Sequence, residues 1–363
     1  MFTVLDFLKN RFLKLDWVLF GCLSVLAFIS LVTLYSLKVQ MYHRQLLWYG
    51  GFLAIFFFGS NFNWRWLLAQ SWFRTIFYWF SVVLIIAASL QTTTVRGTKS
   101  WIVIGNFQFE PAELIKVSLI LMLAGFFSKR HAEAWFSKNI LISLFYAALP
   151  AAVAITHPDM GAALVFMGIW FGFLLLNGIH LKRILTIIAV FLLLAAVGWM
   201  FVLRPYQKQR ITSFLNPASD PLGASYNVNQ AKIAIGSAGF WGKGFGQGTQ
   251  THLKFLPEAE TDFIFAAFVE EWGMLGGVVL VLTFMALVFR ILRIGFSARN
   301  NDFKFISLGA ALVLVVHFFV NVGSNLGLTP VTGITLPLVS YGGSNLLTTA
   351  IVISIIQRIK FES

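Results

Sequence analysis

Cysteine is almost absent from this chain, with Cys22 standing alone among 363 residues. One thiol cannot close an intrachain disulfide, and it argues against thiolate metal sites and cysteine redox chemistry. Charge is nearly as scarce: 11% of residues are charged and 58% are hydrophobic, more apolar surface than one water-soluble core of this length can hide. The histidines, at 43, 131, 157, 180, 252 and 317, form no close ligand cluster. Nucleotide motifs are missing too. The glycine run Gly236, Gly239, Gly242, Gly244, Gly246 and Gly248 has neither a Gly-Lys-Ser/Thr ending nor a strand-then-helix setting, so it reads as a mobile loop and not a nucleotide cradle. A cleavable signal peptide is not expected, because the first apolar span lacks a small-residue cleavage site.

What is present is apolar mass spread over the whole length. It predicts an all-α integral membrane protein, one polytopic domain over 1-363 with ten transmembrane helices. Windows near the ~20 residues needed to cross about 30 Å of hydrocarbon fall at 17–37, 45–60, 73–91, 111–128, 139–156, 159–178, 182–203, 263–292, 305–325 and 336–357. An even number puts both termini on one side. Placing them in the cytoplasm leaves Lys38, Arg44, Arg96 and Lys99 outside, apart from the large extracytoplasmic loop 204-262, which translocates largely regardless of charge. The net charge of +13 is then mostly a topology signal and gives no reason to expect nucleic acid. In segment 1-16, Phe2, Leu5, Leu8, Phe12 and Leu15 recur at helical spacing with Lys9, Arg11 and Lys14 between them, the pattern of a cytoplasmic interfacial helix.

The polar exceptions are where function is expected. Leu256-Pro257-Glu258-Ala259-Glu260-Thr261-Asp262-Phe263 brings acids to the mouth of an apolar span, and the loop before it carries Arg204, Lys208, Arg210, Lys232, Lys243 and Lys254. Carboxylates at a membrane entrance are costly and mark sites; basic groups converging on them suit an anionic, lipid-linked substrate.

Several segments together resemble the SEDS family of membrane glycosyltransferases. These are Glu110-Pro111-Ala112-Glu113-Leu114-Ile115-Lys116, His157-Pro158-Asp159-Met160-Gly161, Arg210 to Gly223, the glycine run, Pro257 to Ala266, and Pro337-Leu338-Val339-Ser340-Tyr341-Gly342-Gly343-Ser344. Their order and spacing match from about residue 96 to the last residue. The wording from Gln230 to Ser237 and at Gly248-Thr249-Gln250 is closer to the elongation branch than to the division branch. The resemblance implies a ten-helix enzyme of the bacterial inner membrane that polymerises lipid II on the extracytoplasmic face. It also implies a class B penicillin-binding protein, a transpeptidase of the elongation machinery, as partner. The chain departs from the family where Glu110 and Ala112 replace Gln and Ser, and where His157 and Ala162 replace Gln and Thr.

Glycosyl transfer from a lipid pyrophosphate needs a base for the attacking hydroxyl and positive charge for the leaving group. Asp262 is the candidate base, carried there by the resemblance; its local alternative is a helix N-cap. Glu113 and Lys116 share a helix face and serve either a polar substrate cavity or a structural ion pair. Asp159 follows Pro158 and caps a helix or joins the site. Lys243 and Arg210 are candidates to reach the pyrophosphate. Ser340 lies in the Pro/Gly-rich stretch 327–343, where irregular backbone at membrane depth must be buried or face a cavity. Glu270 and Glu271, two turns past Asp262, are set aside because at least one of them reads as structural. His317 reads as a packed group, with a proton relay as the other possibility. No ligand spacing demands a metal, although Mg²⁺ or Mn²⁺ at Asp262 is compatible with the chemistry. The competing class is a transporter that flips lipid II, but no clear internal repeat supports it.

Overall fold

The computed structural model describes residues 15–91, 100–105, 107–130, 137–157, 159–201, 205–216, 220, 223 and 225–362. The expected interfacial helix of segment 1-16 lies almost entirely outside them. Among the described residues, ten long helices overlap the ten predicted spans. They are α1 (Trp17–Leu37), α2 (Val39–Asn61), α4 (Ser71–Ser89), α5 (Pro111–Arg130), α6 (Ser137–Thr156), α7 (Met160–Leu176), α8 (Leu181–Phe201), α12 (Ile264–Ser297), α13 (Asn301–Leu326) and α14 (Gly343–Glu362). Of these, α1, α4, α5, α6, α8, α12 and α13 are long and apolar enough to cross a membrane, and α7 is a shorter apolar helix. A six-residue α3 (Trp64–Ala69) links α2 to α4.

The helices pack at glycines, as is common in membranes, where close approach and dispersion replace a hydrophobic drive. A Cβ on Gly59 of α2 would strike Ser354 of α14, and one on Gly309 of α13 would strike Ile120 of α5 and Phe173 of α7. Helix α5 is buried nearly throughout and forms the centre. At one end of the bundle, buried Asp16 caps α1 through Leu19 N–H and receives the Arg290 guanidinium of α12 at 2.5 to 2.9 Å, tying the first span to the eighth.

Three features differ from the sequence expectation. The segment before α5 forms a hairpin, β1 (Ile102–Ile104) against β2 (Phe107–Phe109), turned at Gly105 with φ 61°. The loop 204-262 contains helices α9 (Pro205–Leu215), α10 (Tyr226–Ser237) and α11 (Thr249–His252); buried Ala231 and Ala234 of α10 pack with Phe263, just before α12, and with Ala266 and Ala267 of α12. The last span begins at Gly343 and not at 336. Pro337 lacks an N–H, Leu338 adopts φ 64°, and Ser340 Oγ takes the Leu336 N–H, so the chain stays irregular until residue 343.

Candidate active site

The site is built where α12 begins, against the irregular segment 328–342. Asp262 is half-buried in the turn before α12. Phe263 occupies the N-cap position, and the orphan N–H of Ala266 is satisfied by Asn325 Oδ1 at 3.0 Å, a side chain of α13. That first-turn N–H is therefore met from another helix. Asn325 Nδ2 and Asn321 Nδ2 each donate to the Asp262 carbonyl at 3.0 Å, and Asn321 also holds the Ile334 carbonyl at 2.8 Å. Just before it, Ser340 Oγ donates to the Thr261 carbonyl at 2.6 Å and Tyr341 N–H donates to that of Glu260 at 3.0 Å. The backbone that carries Asp262 is thus clamped from two sides. Its carboxylate faces Gly333, where φ is 77° and an added Cβ would lie 3.7 Å from Oδ2.

Two residues beyond Gly333, the Thr335 carbonyl meets His317 Nδ1 at 3.1 Å, and His317 Nε2 meets Lys116 Nζ at 2.9 Å. An ammonium only donates, so Nε2 accepts and Nδ1 carries the proton given to Thr335. Lys116 also pairs with Glu113 at 2.6 Å, and Glu113 accepts from Asn345 at 3.1 Å and Thr348 at 3.5 Å. The network from Thr335 to Thr348 joins α13, α5 and α14 through side chains that are all buried. It borders a cavity of about 30 Å³, enough for a water.

Asp159 is a helix cap, its Oδ1 accepting from Ala162 N–H of α7 at 2.9 Å. A Cβ on nearby Gly161 would strike the Thr332 carbonyl, so α7 also abuts the segment that faces Asp262. Ser340 is buried and spends its hydroxyl on the clamp. Lys243 is paired within the loop: Nζ donates to Glu270 at 2.8 Å and Thr249 at 2.7 Å. Arg210 lies on α9, and its side chain is outside the described residues.

Glu270 and Glu271 show why the glycine run is not a free loop. Glu270, wholly buried, also accepts from the N–H groups of Gln250 and Thr251. Glu271 accepts from Ser36 and from His252 at 2.9 Å. Their carbonyls take the N–H groups of Lys243 and Gly244 at 3.0 Å, where α12 breaks at Gly273 with φ 69°. Asn321 and Asn325 escaped sequence reasoning, although two amides four apart on an apolar helix were a usable signal. Among the described residues, no group of three or more His, Cys, Asp or Glu is placed to hold a metal ion.

Residues 10–363 match the model of the FtsW/RodA/SpoVE family, described as cell cycle protein. The chain belongs to this family. It is 36% identical to peptidoglycan glycosyltransferase MrdB of Escherichia coli K12 over 270 residues, 74% of this chain and 73% of that one. To MrdB of Helicobacter pylori J99 it is 32% identical, covering 97% and 91% of the two chains. A solved structure described as "Structural coordination of polymerization and crosslinking by a peptidoglycan synthase complex" superposes with TM-score 0.81 at 28% identity, over 96% of this chain and 98% of its own. Membership makes the chain an all-α integral membrane protein, consistent with its apolar helices.

Proposed function

We propose that this protein is a peptidoglycan glycosyltransferase that polymerises lipid II into glycan strands, with Asp262 as general base. The observation that carries the reading is Asp262 itself. It is held in place through its own backbone carbonyl by Asn321 and Asn325, and its half-buried carboxylate faces Gly333 at the start of a membrane helix. Asp262 takes the proton of the acceptor sugar hydroxyl, and that oxygen bonds to the anomeric carbon of the donor from the side opposite the leaving group. The bond to the pyrophosphate oxygen breaks, its electron pair leaves with undecaprenyl pyrophosphate, and the product configuration is inverted.

The Glu113, Lys116 and His317 network positions the segment facing Asp262, and Ser340 fixes the turn that carries it. With Lys243 bound to Glu270, Arg210 is the remaining candidate of the pair for the pyrophosphate. A Mg²⁺ or Mn²⁺ ion held by Asp262 would draw most of its ligands from water and substrate oxygens, as Mg²⁺ commonly does, and would supply charge to the leaving group. The chain works in the bacterial inner membrane with its site outside, beside a class B penicillin-binding protein that crosslinks the strands. Its likeness to a chain of a peptidoglycan synthase complex that coordinates polymerization with crosslinking supports such a partner.

The test is polymer formation from labelled lipid II by wild type and Asp262→Asn. Loss of a general base predicts a fall of about 10²- to 10⁴-fold with folding unchanged. Full activity in the variant would remove Asp262 from the mechanism.

A further inference from the structure

A second cavity lies far from Asp262. It occupies about 670 Å³, within the roughly 300–1,000 Å³ range of small-molecule sites, and its lining includes Arg65, Lys129, Arg299, Asn300 and Asp302. Asp302 is in the first turn of α13, while Asn325, which holds Asp262, is in its last. At 1.5 Å per residue the two lie about 35 Å apart along the axis, so the cavity opens at the opposite membrane face.

Its charges are unevenly matched. Asp302 is taken by the buried Arg74 at 3.4 Å and by Ser128, and Glu362 is taken by Arg358 at 2.8 Å. Arg65, Lys129 and Arg299 have no carboxylate partner among the described residues and are exposed. They come from three separate elements: α3, the end of α5, and the link between α12 and α13. Phe62, Trp66 and Phe296, exposed at 47%, 60% and 70%, stand on or beside these same elements, as aromatics do where a protein meets lipid headgroups.

We propose that this cavity binds the phosphate of an anionic phospholipid, with Arg65, Lys129 and Arg299 as its cationic ligands. Basic pockets at the ends of membrane helices bind anionic headgroups in this way, and each cation adds a factor of about five in affinity. An acidic protein segment matches the charge but not the aromatics that flank it. The bound lipid bridges the elements that meet at the cavity and braces the end of the bundle opposite the candidate active site.

The experiment uses the full chain in phosphatidylcholine nanodiscs, with phosphatidylglycerol titrated in. Retained lipid is read by native mass spectrometry and unfolding by intrinsic fluorescence. Phosphatidylglycerol is expected to bind and raise the unfolding temperature, increasingly weakly as salt rises. The triple variant Arg65→Gln/Lys129→Gln/Arg299→Gln should weaken binding about 100-fold, while Lys138→Gln/Lys182→Gln, exposed but not lining the cavity, should leave it nearly unchanged. Equal weakening by the control pair would reduce the effect to diffuse surface charge and overturn the proposal. Equal protection by inorganic phosphate, or binding of polyglutamate with no preference for phosphatidylglycerol over phosphatidylcholine, would overturn it as well.

Discussion

Replacing Lys116 by methionine tests whether the buried network is held together by charge. Lys116 and Glu113 are each 8% exposed in their side chains and meet at 2.6 Å. Removing the ammonium leaves the Glu113 carboxylate with the Asn345 amide at 3.1 Å and a marginal Thr348 contact at 3.5 Å, and it strips His317 Nε2 of its donor. Breaking a buried pair from one side costs about 3–5 kcal/mol, which for a chain of this length lowers the unfolding temperature by roughly 4–7 °C. Glu113→Gln/Lys116→Met removes both charges and keeps an acceptor for Asn345, so it should recover to within about 2 kcal/mol of wild type. Thermal unfolding of wild type, both single variants and the double variant in one detergent closes the cycle. A double variant that falls as far as Lys116→Met would refute the coupling, because the loss would then be packing. If the network positions the segment facing Asp262, the recovered double variant still polymerises poorly.

Asn325→Leu removes both the N–H cap of α12 and one clamp on the Asp262 carbonyl; it should cost about 1–3 kcal/mol and lower polymerisation further than that loss of stability explains, as kcat measured at matched folded fraction would show. Gly242→Ala places a Cβ against the Glu271 carbonyl at φ 83° and should destabilise by about 2 kcal/mol or more, seen as faster hydrogen exchange at the amides of Lys243 and Gly244. For Asp16, burial pushes the carboxyl up, but the Arg290 hydrogen bonds, the Leu19 N–H and the nearby cations outweigh it and hold the group below its ordinary 3.8. A depressed carboxyl contributes stability that is complete above the ordinary value and is lost as pH falls through the lower folded value. Asp16→Asn should therefore cost about 2–3 kcal/mol at pH 7, and the gap to wild type should close as the pH is lowered below 4, measured by chemical denaturation across that range.

The spans were legible because twenty apolar residues in a row leave few alternatives: α1 runs over the predicted 17–37, and α5 starts at the predicted 111. Asp262 was legible as an acid at a span mouth, and Glu113 with Lys116 as an i, i+3 pair. Contacts between distant residues were not. Lys243 looked like a loop cation until the fold set it on Glu270, 27 positions away, and Lys116 meets His317 across 201 positions. The start of α14 was misplaced because apolarity alone carried the window back to 336, while Pro337 and the Ser340 hydroxyl hold that stretch out of helix. Nor could sequence place Asn325 of α13 on the Asp262 carbonyl and the Ala266 N–H, since that contact joins residues about 60 positions apart.

The most direct measurement is made in liposomes holding the purified protein and labelled lipid II, with polymer length and lipid translocation followed in the same sample. Long glycan from wild type, none from folded Asp262→Asn, and no lipid movement in either are the predicted results. Lipid II crossing the bilayer without polymer from wild type would contradict the account and make the protein a transporter.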